Sequence, residues 1–369
     1  MPKLARSNPK RLYLIPVLSK ALDILELLQG ERAPLALEHI HQKTNISKTT
    51  VYRVLKTFVH RGYLAQSQDG LYRFAANPKK ARFGFGSQSA EMPFSEAVTD
   101  SLKAAASASG VDLIVLDNRY DASTALRNAE EFVRNRVDLV IEFQIDQRVA
   151  PVLADKISAA SIPLIAVDIP HPHATFFGVD NYRVGFEAGD CLARHAKKSW
   201  QGKVRWVLGL DIYEAGTLVQ SRVTGAFEAI SSKLPNVTPE ALVRMDGRGR
   251  REESYQLVLD FLKQHCRDQG ILIAAATDTS ALGAVQAVRE LKKERQVAIV
   301  GQDCIPEALE EMAAARSPLI ASVSHEAQSY GPRLIHLGLA LLAGQRIDPY
   351  NYVRHKLVSA ESVLAVGTG

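Results

Sequence analysis

The chain is poor in the residues that mark a disulfide-stapled or membrane-spanning protein. Cysteine occurs three times in 369 residues, as Cys191, Cys266 and Cys304. An odd, scattered set makes neither a disulfide framework nor a zinc site. No run reaches the roughly 18–20 apolar residues of a membrane helix, so no membrane partner is expected. The basic start carries an apolar patch, Leu12 to Leu18, but no cleavage site follows it. The pattern runs on into a charged amphipathic helix, so the expected location is the cytoplasm. There is no glycine-rich phosphate loop with a following Lys-Ser or Lys-Thr, which argues against an NTPase. Gly-x-Ser-x-Gly and His-Glu-x-x-His are also missing. His171-Pro172-His173 has no nearby cysteine or acidic partner to close a metal site. No cofactor, metal or catalytic group is expected.

What is present is an ordinary globular composition, 46% hydrophobic and 23% charged, on a chain long enough for two or three domains. The net charge of +5 is unevenly spread. Residues 1–81 hold 14 basic and 5 acidic side chains, and the rest holds 31 and 35. A basic head on a mildly acidic body is an electrostatic footprint for nucleic acid, although anionic lipid attracts such heads too.

The head reads as three helices and a hairpin. The first helix spans about Val17 to Leu28, with Leu18, Leu22, Ile24, Leu25, Leu27 and Leu28 mostly on one stripe, and Gly30 stops it. A second covers about Leu37 to Thr44. After the turn Asn45-Ile46, Ser47 offers an N-cap oxygen to a third helix, about Lys48 to Arg61. Val51, Val54, Leu55 and Phe58 form its buried stripe. Its other face carries Lys48, Thr49, Tyr52, Arg53 and Lys56, with Thr50 beside them. A helix start with free N–H groups suits phosphate, and these side chains suit phosphates and base edges. Gly62 to Leu64 and Gly70 to Phe74 flank a polar turn, Gln66 to Asp69, and read as a wing that would put Arg73 within reach of a minor groove or a phosphate backbone.

These residues resemble the DNA-binding domain of the IclR family of transcription regulators. The match lies in Ser19 to Leu28, in Ile46-Ser47-Lys48-Thr49-Thr50-Val51-Tyr52-Arg53-Val54-Leu55, and in Arg61-Gly62-Tyr63-Leu64 through Asp69-Gly70-Leu71-Tyr72-Arg73. It implies DNA contacts from Ser47, Lys48, Thr49, Thr50, Tyr52, Arg53, Lys56 and Arg73. The competing reading is a three-helix module that binds a protein.

A polar linker, residues 76–81, separates a DNA-binding domain (1–75) from the remainder (82–369). There, unbroken apolar strands alternate with helices, which argues for parallel sheets covered on both faces. Strand candidates are Phe83–Gly86, Leu113–Leu116, Val137–Phe143, Leu164–Val167, Val204–Leu208, Ala241–Met245, Ile271–Ala276, Val297–Val300, Ile320–Val323 and Tyr352–Val358. They are too many for one comfortable sheet, so two α/β lobes are expected.

Local motifs then accumulate: Pro93-Phe94, Ile162 to Asp168, Gly178-Val179-Asp180-Asn181-Tyr182, Arg222-Val223-Thr224-Gly225, Thr277-Asp278-Thr279-Ser280-Ala281-Leu282-Gly283, and Val300-Gly301-Gln302-Asp303. Over about residues 82–360 the chain resembles the periplasmic sugar-binding proteins, in the branch of ribose-binding proteins and the sensors of lac-repressor-type regulators. The resemblance implies a type I fold with a ligand clamped between two lobes, about 82–180 with 326–352 and 181–325 with 353–369. The chain would cross between them near Asp180-Asn181, His325 and Tyr352. Carried over by position, the ligand contacts are Phe94 by stacking, Asp168, Arg222 and Asp303, with Thr277 and His325. The carboxylates, Thr277 and His325 fall at strand ends, where ligands of open α/β sheets sit. Asp168 and Asp303 also suit helix caps, and Arg222 a surface ion pair. Several positions depart from the ribose pattern: Met92 and Ser95 around Phe94, Ile169, Thr277 and His325. They remove donors that read ribose, so another ligand is expected.

The resulting expectation is an α/β protein with an N-terminal winged helix-turn-helix and a two-lobed sensor. It acts as a one-component regulator, a homodimer on operator DNA under the control of a sugar-like effector. The alternatives are a carbohydrate-binding transport-type protein without DNA function and an enzyme acting on a sugar. For the latter the sequence offers no paired acid and base.

Overall fold

The computed structural model describes residues 15–31, 33–67, 69–74 and 80–366. The apolar start of the patch at Leu12 and most of the 76–81 linker lie outside the described residues. The chain divides into two units, 1–80 and 81–369. Among the described residues no helix is long and apolar enough to cross a membrane.

The first unit consists of α1 (Pro16–Gly30), α2 (Leu37–Thr44), α3 (Lys48–His60) and a hairpin of β1 (Leu64–Gln66) and β2 (Tyr72–Phe74). Pro16 suits the first turn of α1, where its missing N–H has no helical partner to lose. Ile24, Leu28, Ile40, Val51, Val54, Leu55, Leu64 and Tyr72 form the core. Leu18 and Leu22, read with Ile24 and Leu28 as mostly one stripe, are 53% and 46% exposed. A helix of 3.6-residue period turns a single stripe toward two neighbours, and Ile24 and Leu28 occupy it. Ile15, Leu18 and Leu22 form a second, outward row. Asn45 ends α2 in the left-handed conformation at φ 53°, which asparagine tolerates. Ser47 does not cap α3 as expected. Its hydroxyl lies 2.9 Å from Thr50 Oγ1 instead, a side-chain partner that competes with the backbone. The wing is antiparallel, with Ala65 opposite Arg73. Leu35 ties it to the helices through two backbone bonds with Tyr72, of 2.7 and 2.8 Å.

The second unit has two six-stranded sheets. The first lobe is laid down by β3 (Arg82–Ser87), α4 (Pro93–Ser109), β4 (Asp112–Asp117), α5 (Ala122–Arg134), β5 (Leu139–Glu142), α6 (Ala150–Ala159), β6 (Leu164–Val167) and β7 (Thr175–Gly178). The second follows as α7 (Asn181–Trp200), β8 (Trp206–Asp211), α8 (Thr217–Lys233), β9 (Leu242–Asp246), α9 (Arg251–Gln264), β10 (Ile271–Ala275), α10 (Asp278–Glu290), β11 (Val297–Gln302), α11 (Pro306–Ala313) and β12 (Leu319–Ser324). The chain then returns to the first lobe for α12 (Tyr330–Leu342) and β13 (Tyr350–Tyr352). It ends in the second with β14 (Lys356–Ser359) and α13 (Ala360–Val366). The sheet orders are β13-β7-β6-β5-β3-β4 and β14-β12-β11-β10-β8-β9. All pairs are parallel except β14 on β12.

Two strand readings need correction. Tyr352–Val358, read as one strand, is two strands in different sheets, with a crossing between them. The polar stretch Arg354-His355-Lys356 separates the two apolar pieces, Tyr352-Val353 and Leu357-Val358. The short β7, beginning just after His171-Pro172-His173, was missed. Between α7 and α8 the backbones nearly touch: a Cβ on Gly185 would collide with the carbonyl of Arg222, and one on Gly225 with that of Tyr182. This contact fixes the height of α8 and hence of Arg222.

Candidate functional site

Between the lobes lies a small cavity of about 50 Å³. Its walls come from strand ends and first helical turns, and its polar lining includes Gln88, Tyr120, Gln144, Asp168, Arg222, Thr277, Thr279 and Asp303. Phe94, Phe143, Ile145, Ile169 and Ile212 supply the apolar part. Five of the six ligand residues expected from sequence therefore come to one place.

Asp168 ends β6 in a left-handed backbone conformation, φ 60°. Its N–H donates to Phe177 O at 2.9 Å. Gly178 leaves it room, because a Cβ there would stand 2.5 Å from Asp168 Oδ1. That oxygen is buried without a hydrogen-bond partner. Burial pushes the carboxyl up to about 6, against the pull of Arg222. Neither Asp168 nor Asp303 caps a helix. Asp303, at φ 109°, is fixed by its own N–H on Val323 O at 2.9 Å. Burial, then the neighbouring Asp278, raise its carboxyl well above the usual range.

Arg222 is 5% exposed, so it is no surface ion pair. Nε donates to Asn181 Oδ1 at 2.6 Å and Nη1 to Ala276 O at 2.9 Å. The two bonds hold the guanidinium plane across the junction of α7, α8 and β10. Thr277 caps α10, its hydroxyl accepting from Ser280 N at 3.2 Å. Asp278 is structural: it accepts from Ser322 Oγ at 2.7 Å and Ile305 N at 3.0 Å. Phe94 packs edge-on against Phe143, Tyr330 and His325 at centroid distances of 6.4, 5.6 and 5.8 Å.

His325 was expected among the ligand contacts and is not on the wall. It stands fully buried behind Asp303, with Nδ1 3.2 Å from Asp303 Oδ1 and Nε2 3.2 Å from Gln302 Oε1. Phe94 covers its ring. Burial, then Arg222, hold it well below the usual histidine range. Tyr120 and Gln144 were missed, although both follow strand ends and the rule that found Asp168 points to them. Gln144 Oε1 accepts from Asp146 N at 2.6 Å, while its Nε2 is buried and unpartnered.

In the first unit Ser47, Lys48, Thr49, Tyr52, Arg53, Lys56 and Arg73 are exposed, and Thr50 is half-buried. Lys48 Nζ pairs with Glu38 at 2.7 Å, and this contact pulls that carboxyl below its usual range. Lys56 donates to Gln66 Oε1 at 3.0 Å and so ties α3 to the wing. Arg53 is at the border of the face, beside Val17, Leu18 and Ala21 of α1. Among the described residues no cluster of histidine, cysteine and carboxylates fits a metal ion.

Comparison with known proteins agrees with this architecture. The IclR helix-turn-helix domain matches residues 17–68. The periplasmic binding protein domain matches residues 83–346. Solved structures with the same fold include a periplasmic solute-binding protein of an Actinobacillus succinogenes ABC transporter, with bound D-allose. It has a TM-score of 0.67 and 20% identity over 77% of this chain and 99% of that one. A Bacillus halodurans solute-binding protein with bound myo-inositol has a TM-score of 0.67 and 19% identity, over 79% and 99%. A Mycobacterium smegmatis protein in complex with β-D-fucofuranose has 0.68 and 23%, over 77% and 93%. Among curated proteins no match was found. The chain belongs to the family of the periplasmic binding protein domain, and it carries an IclR helix-turn-helix domain ahead of that module.

Proposed function

We propose that the protein is a one-component transcription regulator that reads operator DNA with α3 and its wing and senses a small hydroxyl-rich ligand, a sugar or sugar derivative, in the cleft. The observation that carries this reading is the pairing, in one chain, of an exposed basic helix with a buried, mixed-charge cavity. Two carboxylates and one guanidinium, held by neighbours, accept from and donate to several hydroxyls in fixed directions. Gln144 adds a donor, and Phe94 and Phe143 an apolar wall. The sugars and polyol in the related structures support the same class. Ligand contacts are assigned to Phe94, Asp168, Arg222, Thr277 and Asp303, with His325 positioning Asp303. DNA contacts are assigned to Ser47, Lys48, Thr49, Thr50, Tyr52, Arg53, Lys56 and Arg73.

The proposal places the protein in the cytoplasm, where DNA is, with no membrane partner and no catalytic role. It works as a homodimer, because one recognition helix reads only a few base pairs and a second half-site supplies the missing specificity. A gel-shift assay with the DNA upstream of its own gene tests the reading, run with and without D-allose, myo-inositol, L-arabinose and other sugars. A specific shift altered by one of them is expected. No shift with any upstream DNA overturns the regulator, and a shift that no sugar alters overturns the sugar.

A further inference from the structure

The basic run Gly247-Arg248-Gly249-Arg250-Arg251 has no place in the reading so far. In the structure its charges are engaged, and the Arg250 side chain faces the first lobe. Arg248 pairs with Glu214 at 3.4 Å and Arg251 with Glu307 at 2.6 Å. The Arg250 guanidinium lies over the ring of Tyr120, 4.9 Å from its centroid. Tyr120 belongs to the first lobe and Arg250 to the second. The Tyr120 hydroxyl also crosses the cleft, donating to Arg248 O at 3.0 Å.

Both sides of this contact are shaped for it. Arg119 and Tyr120 are successive residues in the left-handed region, φ 53° and 54°, uncommon for side chains with a Cβ. The Tyr120 N–H is fixed on Gln88 O at 2.9 Å. Across the cleft, Gly249 takes φ 68°, and a Cβ there would stand 2.8 Å from the tyrosine hydroxyl. A second contact joins the lobes a short way off, where Gln147 N donates to Glu214 O at 2.9 Å. Gly216, at φ 81°, closes that turn, and any Cβ on it would collide with Gln147. One carboxylate oxygen binds the two second-lobe loops together: Asp246 Oδ1 accepts from Tyr213 N at 3.1 Å and from Arg248 N at 3.2 Å.

We propose that Tyr120 and Gln147 of the first lobe, with loops 213–216 and 247–250 of the second tied by Asp246, form a two-point latch that holds the cleft shut, and that the arginine run serves this latch rather than an anionic ligand. The contacts are made by the protein itself, so they set how far closure is favoured apart from what the ligand adds. A population of closed molecules fixed in this way sets the ligand's apparent affinity. The latch rests on the clamp reading of the cleft, but its test needs no ligand, so failure of the sugar assignment leaves the result readable.

Because the two points are tied, breaking one is felt at the other. In the full-length protein, hydrogen exchange at the Gln147 amide, whose acceptor lies across the cleft, reports opening. Arg250→Ala and Tyr120→Phe alter only the first point. Each is expected to speed exchange at Gln147 by about 2- to 5-fold, the worth of one half-buried cation–π contact or one neutral hydrogen bond. Asp246→Ala is expected to speed it more. The Asp303 amide, bonded within the second lobe, keeps its wild-type rate. Wild-type exchange at Gln147 in Arg250→Ala and Asp246→Ala, with Asp303 protected, overturns the latch. If Tyr120→Phe disturbs the fold, both amides speed up together and the half-buried Arg250→Ala decides.

Discussion

Burial raises the carboxyls of single residues in the second unit, and one of them, Glu142, gives a pH prediction. Glu142 is fully buried at the end of β5, with one oxygen on Asn118 Nδ2 at 2.7 Å and the other unpartnered. Burial pushes its carboxyl up to about 8. A group whose folded pKa is raised keeps the native state favoured below its unfolded pKa. That contribution is lost as pH rises from about 4.5 through 8. Glu142→Gln keeps the bond to Asn118 and removes the ionisation. Urea titrations are expected to find the variant level with wild type at pH 4 and more stable at pH 8, by on the order of 4 kcal/mol. An equal gap at both pH values refutes the assignment. The second prediction concerns the cavity. On the proposed contacts, Asp303→Ala or Arg222→Ala would leave ligand hydroxyls without partners in a desolvated site, at roughly 1–3 kcal/mol each. A sugar that raises the melting temperature of the wild type is expected to lose most of that effect on either variant, while operator binding survives. A thermal shift kept in full by Asp303→Ala removes Asp303 from the ligand contacts.

Secondary-structure elements show where the sequence was legible. In α3 the stripe Val51, Val54, Leu55 was readable because one helix face meets one core. In α1 it was not, since that helix carries apolar side chains on two faces and periodicity cannot rank them. The two faces differ energetically. Ile24→Ala is expected to cost about 2–4 kcal/mol, whereas Leu22→Ala stays within about 0.5 kcal/mol; urea denaturation compares them, and equal costs would return Leu22 to the core. On the proposed reading Lys48 leaves Glu38 to reach a phosphate, so Lys48→Ala is expected to weaken specific and random DNA alike and to flatten the salt dependence by about one unit of slope. Arg53→Ala is expected to weaken the specific site more. Parallel titrations on both DNAs decide, and equal specific-to-random ratios for the two variants refute it.

For the whole molecule, the order of strands, helices and turn motifs gave the two-unit plan, because each strand end in an α/β sheet leaves a polar signature. The resemblance put a change of sheet near Tyr352, where β13 ends, although residues 352–358 were read as one strand. The identity of the neighbouring strand is not written in local periodicity. The inward aim of His325 stayed hidden, for a strand end specifies a position but not whether a side chain faces a cavity or stands behind its wall. If DNA and ligand act on one equilibrium, the operator's affinity changes with saturating sugar by the same factor as the sugar's affinity changes with operator. That reciprocity holds for any coupling, so calorimetric titration of operator with and without saturating sugar decides whether the two sites are coupled, and an unchanged operator affinity refutes it.

The return of the chain to the first lobe for α12 and β13 bears on how the protein is made. During synthesis the first unit has left the ribosome long before Tyr330, and its core needs nothing that follows. The first lobe waits for residues 330–352, and until they emerge β7 is an open sheet edge and the aromatic cluster around Phe94 lacks Tyr330. Such edges attract other strands. A chain cut short by a premature stop near residue 329 would therefore keep a finished DNA reader beside a sensor that cannot fold, and a nonsense allele there is expected to act dominantly, occupying operators without answering the ligand.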